Sequence, residues 1–370
     1  MTDLSRPLRI HQPRRVEVGL GSASEVGVWA EANGFGRILV LTHRSLAGRV
    51  GALGLTGSVA VFDGVLPEPD TENLALALTA ARTAAPDLVI GFGGGSVMDM
   101  GKLVTVLRGA QSLAEIIGPN RVEGRQNALA LVPTTAGTGS EAGIRALVTD
   151  RATGMKVAVE SPFLLADMVA LDPALTMTLP PAVTAATGID AMAHCVEAYT
   201  NRKSHPMVDS YALMGMELVS RYLPRAVADG DDAEARAGLL LAAYYGGICL
   251  GPVNTAAGHA LAYPLGTRLK LPHGLANAII FPHVLAFNAP AVPGKTARIA
   301  DLLGLKGDLL AAARDWCARL GVEMRLSRNG ATESQLSLWA QEAHGIRRLM
   351  DNNPRDMSVA EVEAVYRAAF

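Results

Sequence analysis

Charge is sparse in this chain. Asp, Glu, Lys and Arg make up 18% of its 370 residues and leave a formal net charge of −2. That gives no electrostatic case for nucleic acid or an anionic membrane surface as a partner. Cysteine is scarce as well: Cys195, Cys249 and Cys317 are widely spaced and odd in number. This speaks against a disulfide framework and fits reduced thiols in a cytoplasm. Cys195 follows His194 directly, but on a helix it projects about 100° away, so packing is its expected task. Gly, Pro or charge breaks every apolar run well short of a membrane span. The basic start, MTDLSRPLRIHQPRRVEVG, is not followed by the apolar segment of a signal peptide. What the chain does have is a 49% hydrophobic content, enough for a well-buried globular protein. Its length favours two domains over one.

The first half alternates between strands and helices. Residues 14–20 read as a strand and 23–33 as a helix stopped by Asn33-Gly34. The aliphatic run RILVLT at 37–42 has the signature of a buried parallel strand. Next come a helix, a strand at 58–62 and a helix at 71–85. A strand from Leu88 to Gly91 then enters a glycine loop, with a helix from about Val97. Further strands are expected at 128–132 and 155–159. Such alternation implies a parallel sheet wrapped on both faces. The character changes at Leu179-Pro180-Pro181, beyond which Ala-, Leu- and Met-rich helical stretches follow one another. The expected fold class is α/β plus all-α. A parallel-sheet, dinucleotide-binding domain spans 1–179, and a helical-bundle domain for metal and substrate spans 180–370. The active site is expected in the cleft between them, closing by modest hinging.

Two stretches carry the metal chemistry. In GIDAMAH, Asp190 and His194 are four residues apart, so a helix over 183–200 puts them on one face. His259 and His273 supply two more imidazoles, giving one oxygen and three nitrogens for a divalent ion. The competing reading is a set of hydrogen-bonded structural histidines. Upstream, Gly93-Gly94-Gly95-Ser96 lies between a strand and a helix, where bare backbone amides and a helix N-terminus suit a pyrophosphate. It is not the spaced G-x-G-x-x-G fingerprint, so an ordinary Rossmann assignment is unsupported. The stretch Pro133-Thr134-Thr135-Ala136-Gly137-Thr138-Gly139-Ser140-Glu141 offers hydroxyls and amides for a second edge of the same site. By itself it also reads as a capped helix start.

Taken together, GGGSVMDMGK, PTTAGTGSE, GIDAMAH, HALAYPLG and LPHGLANAIIFPHV resemble the iron-containing (group III) alcohol dehydrogenase family. The likeness runs over nearly the whole chain, as far as NNPRDMS. It implies a nucleotide-binding α/β domain followed by an all-helical one, with metal ligands Asp190, His194, His259 and His273. It also implies cofactor contacts from Gly94, Gly95, Ser96, Asp99, Thr134, Thr135, Thr138 and Lys156. The implied metal is Fe²⁺, with Zn²⁺ also found, and ligand type alone does not separate the two. The activity implied is metal-assisted, NAD- or NADP-linked hydride transfer between a small alcohol and its aldehyde.

Two positions depart from the family pattern. Where many members carry a second histidine near the nicotinamide, this chain has Tyr263, either a proton relay or a pocket wall; its ordinary pKa of about 10 makes it a poor free base. Where NAD-preferring members hold the adenosine ribose with an aspartate, this chain has His43 followed by Arg44, which permits NADP. Arg145 faces either substrate or cofactor, or is salt-bridged. Lys102 is expected to be solvated. His283 is either an outer neighbour of the metal site or a structural histidine, and His11, His205 and His344 are expected at the surface. Competing functions are a maleylacetate-reductase-like reductase of an acidic substrate, a dehydroquinate-synthase-like cyclase, and a non-catalytic nucleotide-binding protein. The filled ligand positions argue against the first and third. The shortage of Lys and Arg around 183–283 argues against the second. A cytoplasmic homodimer or higher homo-oligomer is the expected state.

Overall fold

A computed structural model describes residues 5–107, 109 and 111–370. The first four residues of the basic start, with Arg108 and Ala110, lie outside the described residues. The chain divides into two compact units: Ile10–Thr135 with Gly139–Thr178, and Leu179–Phe370 with Ala136–Thr138 and the described residues up to Arg9.

The described residues of the first unit form nine strands: β1 (Arg15–Val18), β2 (Arg37–Thr42), β3 (Ser58–Phe62), β4 (Leu88–Gly93), β5 (Gly118–Pro119), β6 (Ala128–Pro133), β7 (Arg145–Asp150), β8 (Met155–Glu160) and β9 (Met168–Leu171). Six of them form a parallel sheet in the order β1-β9-β6-β4-β2-β3. Aliphatic runs fit its centre because both faces are covered. Ile38, Val40, Leu88, Ile90, Phe92, Ala130 and Val132 pack on one face with Val26, Trp29 and Ala30 of the helix Glu25–Ala32. Leu39, Leu41, Val89, Leu129 and Leu131, on the other face, are equally buried. After β2 the chain steps outward to β3, and after β4 it steps the other way to β6. The carboxyl ends of β2 and β4 therefore flank a topological switch point, where open α/β sheets place their ligands.

The expectation of one uniformly parallel sheet needs correcting at 155–159. That strand exists, but it belongs to a separate three-stranded sheet, β5-β8-β7, and pairs antiparallel with β7. The cause is local. Asp150 accepts hydrogen bonds from the Ala152 amide and the Thr153 hydroxyl, and Gly154 takes a left-handed φ of 70°. So short a turn returns the chain beside itself, whereas a parallel pairing needs a long crossover. The short strand β9, all four residues buried, escaped the sequence reading too.

In the second unit, helices Pro181–Thr200, Pro206–Ala228, Ala233–Val253, Ala257–Leu269 and His273–Asn288 are followed by shorter ones ending with Val359–Ala369. Proline in the first helical turn starts Pro181–Thr200, Pro206–Ala228 and the shorter Pro293–Leu303, where its missing amide costs no hydrogen bond. The helix Pro181–Thr200 packs against Pro206–Ala228, Ala233–Val253 and His273–Asn288, so almost all of its residues from Thr184 onward are buried. Among the described residues no single helix is long and apolar enough to cross a membrane. The pair Ala233–Val253 and Ala257–Leu269, bent by 107°, reaches that length only together.

Candidate metal centre and dinucleotide loop

On the helix Pro181–Thr200, Asp190, His194 and Glu197 follow one another at steps of four and three residues, so all three share a face. His259 lies in the first turn of Ala257–Leu269, and His273 opens the helix His273–Asn288. Ligand atoms of Asp190, His259 and His273 lie within 4.8 Å of one another. Asp190 Oδ1 is the shared pole, 3.6 Å from His259 Nε2 and 3.9 Å from His273 Nε2. His194 joins by stacking on His259, with ring centroids 4.4 Å apart. Its Nδ1–H donates to the Gly137 carbonyl at 3.2 Å, which leaves Nε2 as the nitrogen with a free lone pair.

Sequence reasoning missed two residues of this centre. Glu197 is buried, and its Oε1 accepts from both the amide and Nδ1 of His259, at 3.0 and 3.1 Å. Its Oε2 accepts from the Ala256 amide. This orients the ring and fixes Nδ1 as the donor, so that Nε2 faces Asp190. The approach needs a glycine, because a Cβ on Gly258 would lie 2.0 Å from Glu197 Oε1. Asn277, one helical turn beyond His273, donates Nδ2–H to Asp190 Oδ1 at 2.7 Å, with Nδ2 3.1 Å from His273 Nε2. Its spacing was the available signal, as it was for Glu197.

These residues fit a cation. His259 Nε2 is buried without a hydrogen-bond partner and faces a carboxylate oxygen. Burial alone would lower the His259 pKa, but Glu197 and Asp190 outweigh it and push it up to about 10. Burial would likewise raise Asp190, yet His194, His273 and His259 hold it well below the usual carboxylate range. Two buried carboxylates thus demand positive charge between them, which a proton or a divalent metal supplies.

In the first unit, β4 ends at Gly93 and the helix Gly95–Leu107 begins two residues later, two residues earlier than the expected start at Val97. The Val97 and Met98 amides donate to the Gly94 carbonyl, whereas those of Gly95 and Ser96 precede the helical ladder, where an anion can be met. A Cβ on Gly94 would meet Thr135 Oγ1 at 3.3 Å, so the glycine keeps this lip open. Thr134 is buried and its amide bonds to the Gly93 carbonyl, tying the two loops together. Ser96 Oγ accepts from the Glu68 amide, and Lys156 forms an ion pair with Glu68. Asp99 is not open to a ligand: its oxygens accept from Ser140 Oγ at 2.6 Å and the Leu147 amide at 2.9 Å. Lys102 corrects the expectation of a solvated side chain. It is fully buried, and its ammonium donates to the carbonyls of Ser140 and Arg145 and to Ser140 Oγ. Burial lowers its pKa to about 8 even with Asp99 and Glu141 opposing. Arg145 pairs with Glu160, its cross-strand neighbour, at 2.6 Å. His43 caps the 3₁₀ segment Arg44–Leu53, accepting from the Ser45 amide, while Arg44 lies 3.8 Å from Asp63. Thr138 belongs with Ala136 and Gly137 to the helical unit. His283 is buried, and burial beside Arg314 lowers its pKa to about 4, the mark of a neutral core histidine.

A buried carboxylate–imidazole cluster, together with a glycine loop at the switch point of a parallel sheet, defines a metal-dependent oxidoreductase of the dinucleotide-using class. The chain belongs to the iron-containing alcohol dehydrogenase family. The iron-containing alcohol dehydrogenase model matches residues 13–173, and the C-terminal model of the Fe-containing alcohol dehydrogenase family matches 184–370. It is 34% identical to long-chain-alcohol dehydrogenase 1 of Geobacillus thermodenitrificans, over 98% of this chain and 96% of that protein. A crystal structure of 1,3-propanediol oxidoreductase superposes with a TM-score of 0.94 at 30% identity, covering 99% of this chain and all of that one. Sulfoacetaldehyde reductase from Bifidobacterium kashiwanohense, solved in complex with NAD⁺, gives a TM-score of 0.89 at 27% identity, with 99% of each chain covered. The chain is accordingly an enzyme, a metal-dependent alcohol dehydrogenase.

Proposed function

We propose that the chain interconverts a small alcohol and its aldehyde by hydride exchange with NAD(H), at a divalent metal, Fe²⁺ or Zn²⁺, held by Asp190, His194, His259 and His273. The observation that carries this reading is the convergence of ligand atoms of Asp190, His259 and His273 within 4.8 Å, the first two buried and His273 partly so. When bound, the metal supplies Lewis acidity toward the substrate oxygen and the nicotinamide supplies the hydride. Glu197 holds His259 in the tautomer that a ligand needs, and Asn277 orients Asp190. Gly94, Gly95 and Ser96 offer backbone to the pyrophosphate, Thr134, Thr135 and Lys156 of the same unit are further cofactor contacts in this reading, and so is Thr138. Asp99 acts through the loop, which it holds by way of Ser140. His43 follows β2, beside the switch point. His43 and Arg44 stand where an aspartate would repel a 2′-phosphate, so NADPH is permitted beside NADH in this reading. The three cysteines, all free and buried, support a reducing cytoplasm, and symmetry base rates support a homodimer.

Metal analysis of the purified protein, paired with an alcohol and aldehyde panel using both nicotinamides, tests this. Stoichiometric iron or zinc and oxidation of both NADH and NADPH are expected. A metal-free preparation of undiminished activity would overturn the metal reading, and inert NADPH would overturn the cofactor reading.

Tyr263 packs near His273, with ring centroids 6.1 Å apart. Tyr263→Phe is expected to lower kcat less than about tenfold, because a phenol is a weak base at neutral pH. A loss of about a hundredfold or more in steady-state kcat would instead make it a proton relay.

A further inference from the structure

Burial falls stepwise along one line out of the metal centre. The side chains of Asp190 and His259 are 2% and 3% exposed and that of His273 is 25%, while Tyr263 is half-buried and Arg348 is exposed. The Arg348 guanidinium lies over the Tyr263 ring, 5.5 Å from its centroid, and Nη2 donates to Tyr263 Oη at 3.3 Å. Arg348 has no carboxylate within ion-pair distance among the described residues, although cations nearby do. Arg347 pairs with Asp351, Arg268 with Glu342 and Arg355 with Glu361. Its position is fixed from below, because Leu349 and Met350 are buried in the same core as Leu261 and Leu265. An exposed guanidinium that is anchored, unneutralised and one aromatic ring away from the metal ligands is suited to bidentate capture of an anion. Arg145 cannot take this part, since Glu160 already neutralises it.

We propose that Arg348 is a specificity-determining residue that binds the anionic end of the substrate, an aldehyde or alcohol carrying a carboxylate or sulfonate at the end remote from the reacting carbon. This rests on the metal-centred dehydrogenase reading and adds the substrate class to it.

The test compares kcat/KM for succinic semialdehyde and for butanal, a neutral aldehyde of equal length, with metal-loaded protein and NADH; sulfoacetaldehyde against propanal forms the sulfonate arm. The wild type is expected to favour at least one anionic member by about tenfold or more. Arg348→Leu should cut that ratio by about 10- to 100-fold, as expected for a hydrogen bond to a charged group. Arg348→Lys should keep part of it, retaining charge without the planar fork. Independently of turnover, 4-hydroxybutanoate should raise the Tm of wild-type protein and fail to do so in Arg348→Leu. Which arm shows the preference identifies the anion as carboxylate or sulfonate. A ratio unchanged in Arg348→Leu, or a wild type that prefers the neutral aldehydes, overturns the inference while leaving the dehydrogenase reading standing. No NADH oxidation with any of the four aldehydes removes both.

Discussion

Asp190→Ala is expected to leave a folded protein that no longer retains metal, with kcat/KM lowered by at least roughly a thousandfold. Asp190 Oδ1 is the atom that His259 Nε2, His273 Nε2 and Asn277 Nδ2 all face. Without it the pocket keeps imidazoles but has lost the only carboxylate among the proposed ligands. Lewis-acid assistance is worth several kcal/mol of barrier, and each 1.36 kcal/mol is tenfold in rate. The fold should survive because Asp190 occupies one position on a helix otherwise held by packing against three others. Elemental analysis after dialysis, kinetics and circular dichroism on the same sample check all three points. Full metal retention by the variant would refute the assigned ligand set.

Glu197→Ala should have the second largest effect, and on two observables at once. Glu197 accepts from His259 Nδ1 and from the amides of His259 and Ala256 in a buried setting. Truncation strands these donors at about 1–3 kcal/mol each, so a loss on the order of 3–5 kcal/mol is expected in urea unfolding. Metal affinity, measured by chelator competition, should also fall by about 10- to 100-fold, because the tautomer and direction of His259 are no longer imposed. Glu197→Gln separates the two. It keeps the volume and one acceptor oxygen, so most of the stability should return while the metal affinity stays impaired. Unchanged metal affinity in both variants would reduce Glu197 to a structural residue.

The two new residues of the metal centre show what was legible and what was not. Asp190 and His194 could be picked out because helical periodicity puts positions four apart on one face, and a carboxylate beside an imidazole is rare without a purpose. Glu197 lies one turn further along the same face. Its spacing from His194 was the one local signal and does not by itself separate it from a solvated acid, since its partners are the start of a helix some sixty residues later. Asn277 repeats the case at the head of another helix. Arg348 is harder still: its relation to Tyr263 spans 85 positions and exists only because both segments close the same core. Lys102 was misread for a related reason. A lysine near the start of a helix is usually solvated, and only the fold shows that the loop ending at Ser140 and the first residue of β7 cover it with oxygens.

By itself the sequence determined the elements and the kind of chemistry. Aliphatic runs that must be covered on both faces became a parallel sheet, a triple glycine marked the turn from a strand into a helix, and a four-residue spacing put a carboxylate and an imidazole on one helix face. These are consequences of covalent geometry and local periodicity, acting over a few residues. The tertiary structure decided the rest: a hairpin split 155–159 off into its own sheet, Glu197 and Asn277 came to hydrogen-bond His259 and Asp190, Arg145 was neutralised, and Arg348 was left without a carboxylate partner among the described residues. Those outcomes depend on which distant segments share a buried volume. A polar group there is worth little or much according to the partner that packing brings to it.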